Sequence, residues 1–280
     1  MQRLEPISAR SYGSQGPTVV VLHGGPGAPG SAASLARALA HHFRILEPLQ
    51  RHSGQVSLTV ARHVEDLRQV APRPAILIGC SWGAMLGLSY AARYPKEVSS
   101  LILVGCGTYD LASREIHRKS LEKLLGLRKS QIADRLKERL ATAANPEERD
   151  AILAELGELY MFAESYDRLA EEGIAAPRLS VDQTGHIETW TDVLRLQRER
   201  VEPQAFCEIL APVLMIHGDR DPHPGPATRD LLRQYIPRLE YFELERCGHE
   251  PWRERHARDR FIELLRQWCT RPRKPQSCGS

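Results

Sequence analysis

The stretch Ala75-Ile76-Leu77-Ile78-Gly79-Cys80-Ser81-Trp82-Gly83-Ala84-Met85-Leu86 sets how the whole chain is read. Four apolar residues run straight into Gly79, and from Trp82 to Tyr94 the apolar positions take on helical spacing until Pro95 stops them. A buried strand therefore passes into a helix across Gly79-Cys80-Ser81-Trp82-Gly83. In such a G-x-S-x-G turn, small flanking residues tolerate a strained backbone that lifts the serine hydroxyl clear of the chain.

Three further runs have the same form: Val19-Val20-Val21-Leu22, Leu101-Ile102-Leu103-Val104 and Val213-Leu214-Met215-Ile216. Short apolar runs suit strands covered on both faces. Helical patterns over residues 34–41, 60–70 and 82–94 lie between them, so the alternation predicts a parallel, doubly wound sheet. A strand-like segment at 239–244 follows. Glycine-bearing motifs stand just beyond the strand ends: His23-Gly24-Gly25-Pro26-Gly27, Gly79 to Gly83, Gly218-Asp219-Arg220-Asp221 and Gly248-His249. Open α/β sheets gather their ligands at the carboxyl ends of strands, so the four motifs are expected at one site.

Strand signals vanish between residues 109 and 204. Helical patterns fill the gap at 113–127, 130–144, 146–169 and 187–200, and Asn145-Pro146 supplies a cap and a first-turn proline. The expected organisation is a core of residues 1–109 and 205–270, an inserted helical cap or lid of residues 110–204, and a flexible, Pro-rich and basic tail of residues 271–280.

With 280 residues, 42% hydrophobic and 26% charged, the chain has the composition of a globular protein with a full core. A formal charge of +3 with interleaved signs offers no basic stripe for nucleic acid. The N-terminal residues carry no apolar signal-like region and no run approaches a membrane span, so a cytoplasmic protein without a membrane partner is expected. Six cysteines lack C-x-x-C spacing and read as reduced thiols, not as bridges or a zinc set. No cofactor and no metal is expected. The oligomeric state is not readable.

Ser81 needs a base to become a nucleophile, and an imidazole held by a carboxylate serves near neutral pH. His249 is the candidate base. His23 reads as a brace of the glycine loop, while His41, His42, His52, His63, His117 and His256 read as surface residues, and His217 and His223 merely flank the acid loop. Asp221, deep in its loop before Pro222, is preferred over Asp219 as the orienting acid, with Asp219 read as a turn residue. The backbone N–H groups of Gly25 and Trp82 are the expected oxyanion donors, Trp82 because it opens a helix.

With these residues in place, the chain resembles the α/β-hydrolase superfamily over nearly its whole length. His-Gly-Gly-Pro-Gly together with Gly-x-Ser-Trp-Gly is similar to the proline iminopeptidase group (peptidase family S33). Cys80 replaces the second glycine of that group's usual elbow. Leu49-Gln50-Arg51-His52 stands where the group carries Asp-Gln-Arg-Gly. The resemblance implies an α/β-hydrolase fold with an inserted cap and hydrolysis through an acyl-enzyme. It also implies acidic cap residues that bind a substrate amine, for which Glu155, Glu158, Glu164 and Glu188 are available. The expected activity is that of an esterase or amidase on a small, fairly apolar molecule or short peptide. Removal of N-terminal proline, C–C bond hydrolysis and a non-catalytic binding role are the alternatives. Ser81 excludes the haloalkane dehalogenase branch, which would carry Asp there.

Overall fold

The computed structural model describes residues 4–170 and 179–271. Seven strands form one sheet: β1 (Ala9–Tyr12), β2 (Thr18–Leu22), β3 (Arg44–Pro48), β4 (Ala75–Cys80), β5 (Val98–Val104), β6 (Val213–Gly218) and β7 (Glu240–Leu244). Their order is β1-β3-β2-β4-β5-β6-β7. Only the β1–β3 pair is antiparallel. Four strands coincide with the apolar runs of the sequence, and β7 with its strand-like segment at 239–244. No simple apolar run marks β1 or β3, because both mix polar and apolar residues; β1 is the edge strand, and β3 pairs with it on one side and with β2 on the other.

Alternation along each strand feeds two cores. Val20, Leu22, Leu77, Leu101 and Leu103 pack beneath α2 (Val60–Val70), α3 (Trp82–Arg93) and α7 (Gly225–Leu232). Val19, Val21, Ile78, Ile102 and Val104 pack against α1 (Ala33–Leu39) and α8 (Arg258–Thr270) on the other face. Burial on both faces explains why these strands read as unbroken apolar runs.

Among the described residues between β5 and β6, the named elements are helical: α4 (Leu111–Thr142), α5 (Pro146–Ala163) and α6 (Gln183–Arg198). The two helices expected at 113–127 and 130–144 form one run broken at Gly126, whose φ of 67° and ψ of 171° interrupt the helical path. α5 ends at Ala163, six residues before the expected point, because the following residues join β7's outgoing loop instead. The α4–α5 hairpin closes over its own small core of Ala133, Leu136, Ala143, Ile152 and Leu156. No helix of the described residues is long and apolar enough to cross a membrane. Cys80, Cys106, Cys247 and Cys269 are buried free thiols and Cys207 an exposed one. Cys278, with tail residues 272–280, lies outside the described residues.

Candidate active site

Ser81 joins β4 to α3 with φ 53° and ψ −118°. A non-glycine residue held there stores about 1–3 kcal/mol of strain, so the surroundings must enforce it. They do so through close backbone approach. A side chain on Gly83 would strike the carbonyl oxygens of Leu22 and His23, and one on Gly79 would strike the carbonyl of Gly83. The Ser81 N–H donates to the Val104 carbonyl oxygen at 2.8 Å, which fixes the turn to the end of β5.

The glycine loop after β2 comes up beside the serine. A Cβ on Gly24 would stand 3.1 Å from that of Ser81, and Gly25 follows with φ 46°. His23 is fully buried and donates from Nδ1 to the Gly24 carbonyl at 2.9 Å, bracing the loop. Its burial pushes the imidazole pKa down to about 4, so it is neutral. The N–H of Trp82, at the start of α3, has no intrahelical acceptor. Its indole Nε1 donates to Gln50 Oε1 at 2.9 Å. Gln50 thus anchors the residue after the serine, and Arg51 makes a paired contact with Asp66 at 2.8 and 2.9 Å. These contacts give Gln50-Arg51 a structural reason of its own.

Asp221 and His249 meet across the ends of β6 and β7. His249 Nδ1–H donates to Asp221 Oδ2 at 2.8 Å, which leaves Nε2 with its lone pair. Asp219 points elsewhere, accepting from the Cys247 N–H at 3.1 Å, so it ties the two loops together instead of bonding its own turn. The Asp221 side chain is fully buried. Its Oδ1 accepts from both the N–H and Nδ1–H of His223 at 2.9 Å, and His217 Nδ1 stands 3.6 Å from Oδ2. His217 Nε2 accepts from the Cys106 N–H at 3.0 Å, which turns its Nδ1–H toward the carboxylate. Burial opposes ionisation of Asp221, yet the His249 and His223 rings outweigh it and hold the carboxyl well below its usual range. For His249 burial favours the neutral ring, and Asp221, Glu164 and Glu250 reverse that and raise its pKa.

Ser81 lies one strand away from this pair. The residue after its hydrogen-bond partner Val104 is Gly105, at φ 54°, where an added Cβ would come within 2.6 Å of His249 Cε1 and 3.2 Å of Asp221 Oδ2. Gly105 is thus a floor under the imidazole. Among the described residues no hydrogen bond joins the Ser81 hydroxyl to His249. Such bonds are commonly long before substrate is bound.

Two histidines expected on the surface lie elsewhere. His63 is buried, with Nε2 bonded to Thr189 Oγ1 at 2.9 Å and its ring edge-on to Trp82. His117 on α4 is partly buried and stacks on His223, which stacks on His249, with ring centroids 3.9 and 4.4 Å apart. The helical pattern exposed one side of α4 in projection, but the insertion folds that side onto the acid loop.

The helical segment between β5 and β6 contacts the site from two directions. The His249 N–H donates to the Glu164 carbonyl at 2.9 Å, and the buried carboxylate of Glu254 accepts from the N–H groups of Tyr166, Asp167 and Gly248 at 2.8, 2.7 and 3.2 Å. From the other side, Asp182 caps α6 and its N–H donates to the Gly27 carbonyl at 2.7 Å, while His186 Nδ1–H donates to the Pro26 carbonyl at 2.8 Å. Of the four glutamates considered for substrate, Glu188 accepts from the Leu58 N–H at 2.8 Å, Glu155 faces Arg139 on the exposed side of the insertion at 3.7 Å, and Glu158 is exposed. Only Glu164 reaches the His249 neighbourhood. Glu250, next to His249, was not singled out from sequence; burial raises its carboxyl pKa although Arg253 lies 3.2 Å away.

The alpha/beta hydrolase fold family matches residues 17–252. The chain belongs to this family of hydrolases. A curated relative of this hydrolase is the pimeloyl-[acyl-carrier protein] methyl ester esterase of Nitrosospira multiformis, 24% identical over 85% of this chain and 89% of that protein. A proline iminopeptidase of Lactobacillus helveticus is 34% identical over 38% of this chain and 41% of its own length. Among solved structures, a thermophilic esterase from Thermogutta terrifontis shares the fold with a TM-score of 0.58 at 17% identity, covering 94% of this chain and 92% of that one.

Proposed function

We propose that the chain is a serine hydrolase that cleaves esters of small, fairly apolar acids through an acyl-enzyme, with residues 110–204 as its cap. The observation that carries this reading is the 2.8 Å Asp221–His249 bond at the strand ends beside the strained Ser81 turn. Ser81 Oγ attacks the carbonyl carbon while its proton passes to His249 Nε2. Asp221 fixes the ring tautomer and stabilises the imidazolium that forms. The oxyanion is received by the N–H groups of Gly25 and Trp82, each such donor lowering the barrier by roughly 3–4 kcal/mol in measured cases. Collapse expels the alcohol with the proton from His249, and water repeats the sequence on the acyl-enzyme.

Relatives of both esterase and iminopeptidase names occur, and the residues of the site favour an ester. An ester needs no buried counter-charge, whereas a substrate ammonium in the site would need a paired carboxylate. Glu164 and Glu250 support a second reading, release of N-terminal proline, because two carboxylates near His249 suit a substrate ammonium.

The test is turnover of p-nitrophenyl acetate and butyrate beside proline p-nitroanilide, with fluorophosphonate labelling of wild type and Ser81→Ala. The ester series should show the higher kcat/KM, and Ser81→Ala should lose both turnover and label while folding normally. Undiminished labelling of Ser81→Ala would refute the nucleophile. Preferred cleavage of the proline amide, lost in Glu164→Gln or Glu250→Gln, would replace the esterase with the iminopeptidase.

A further inference from the structure

The stack of imidazoles beside the proposed base continues into a set of metal-ligand atoms that the hydrolytic mechanism does not use. His117 on α4, Glu164 just past α5 and His223 on the loop after β6 place one ligand atom each within 4.8 Å of one another. His117 Nε2 is screened from solvent and, among the described residues, has no hydrogen-bond partner. His223 donates Nδ1–H to Asp221 Oδ1 at 2.9 Å, so its Nε2 keeps its lone pair. An imidazole that donates one N–H to a carboxylate while its other nitrogen is free is the arrangement that outer-shell carboxylates impose on metal-binding histidines.

We propose that His117, Glu164 and His223 bind a divalent transition-metal ion of the zinc type, and that the bound ion inhibits the hydrolase. Two imidazoles and one carboxylate, with a fourth position open to water, match the ligand preferences of Zn²⁺ and its neighbours. They do not match Ca²⁺ or Mg²⁺, which take oxygen ligands. Binding opens the His117–His223 stack, now at an interplanar angle of 22°, so that both lone pairs converge. The ion then bridges the insertion to the acid loop. It also sets positive charge on the ring stacked 4.4 Å from His249, opposing the charge that develops there when Ser81 gives up its proton.

The experiment is calorimetric titration of the full, tag-free, chelator-treated chain with ZnCl₂, alongside melting curves with and without Zn²⁺. The proteins are wild type, His117→Ala, Glu164→Gln and His249→Gln. Wild type should take up one equivalent, and Zn²⁺ should raise its melting temperature, as a ligand specific to the folded state does. His117→Ala and Glu164→Gln should each bind at least tenfold more weakly, since losing even an outer-shell partner has that effect. His249→Gln keeps all three ligands and should bind like wild type. Ester hydrolysis by wild type should fall with Zn²⁺ occupancy, and that of His117→Ala should need at least tenfold more Zn²⁺ to fall as far. Equal binding by wild type and His117→Ala, or no stoichiometric uptake, would overturn the site. So would loss of binding in His249→Gln alone, which would put the ion on Asp221, His223 and His249. These readouts stand whatever the substrate proves to be.

Discussion

Gly105→Ala is the sharpest test of how the site is built. The added methyl would lie 2.6 Å from His249 Cε1 and 2.7 Å from Nδ1, against the roughly 3.5–4.0 Å of an unstrained carbon contact. Relief requires the imidazole to retreat by about 1 Å, which stretches the 2.8 Å bond to Asp221 beyond hydrogen-bonding range. A misplacement of that size costs about 100-fold in rate. Alanine at φ 54° adds about 1–2 kcal/mol of backbone strain, worth a few degrees of Tm in a chain of this size. Steady-state kinetics on an aryl ester and a thermal melt, run together, separate the two effects. Gly107→Ala is the control: its methyl would stand 2.6 Å from Met85 Sδ, a flexible neighbour, and should change kcat/KM less than tenfold. A folded Gly105→Ala protein with wild-type kcat/KM would refute the claim that His249 rests on this glycine.

Asp221→Asn should lower kcat by about 10⁴, as loss of the tautomer-setting carboxylate does in a serine protease, while Asp219→Asn stays within about tenfold; equal losses in the same ester assay would reject the division of roles. Glu202, buried behind α3 with its Oε1 2.7 Å from Ser89 Oγ, has its carboxyl raised by burial to about 7 from an ordinary 4.5. The folded state therefore keeps a proton that the unfolded chain releases. The associated stability is present below about pH 4.5 and is lost as pH rises through 7. Glu202→Gln should remove that loss and gain on the order of 3 kcal/mol at pH 8 but little at pH 4.5; denaturant melts with parallel pH profiles for the two proteins would contradict it. Glu254→Ala leaves three N–H groups without their charged acceptor and should cost on the order of 3–5 kcal/mol. Hydrogen exchange should accelerate at Tyr166, Asp167 and Gly248, and unchanged protection there would sink the assignment.

Most of the sheet is legible in the sequence because its central strands are buried on both faces and leave continuous apolar runs. β1 and β3 are hidden for the opposite reason: Arg10, Arg44 and Glu47 break any simple pattern, and the buried Glu47 accepts from Tyr12 Oη at 2.7 Å with Arg10 and Arg37 nearby. At the site, the residues carrying a local signature were readable, since the serine turn, the glycine loop and the Asp and His motifs each follow a strand. Gly105, Glu250, Glu254 and the His117–His223 stack carry none. Their roles come from contacts across tens to more than a hundred residues, which periodicity cannot register. His63 and His117 were misread on the same account, because a helix reveals its polar face in sequence but not what later folds over it.

The Glu254 clasp bears on how this scaffold could be re-engineered. Two of its three donors, Tyr166 and Asp167, come from the insertion, and the third, Gly248, adjoins His249. The helical segment between β5 and β6 is accordingly not an exchangeable module. A chimera that grafts another protein's helices between β5 and β6 would leave a carboxylate 1% exposed with one donor in place of three, right behind the imidazole. Such grafts should succeed only when the splice keeps residues 164–167 with the recipient, or when position 254 is made neutral in the same step.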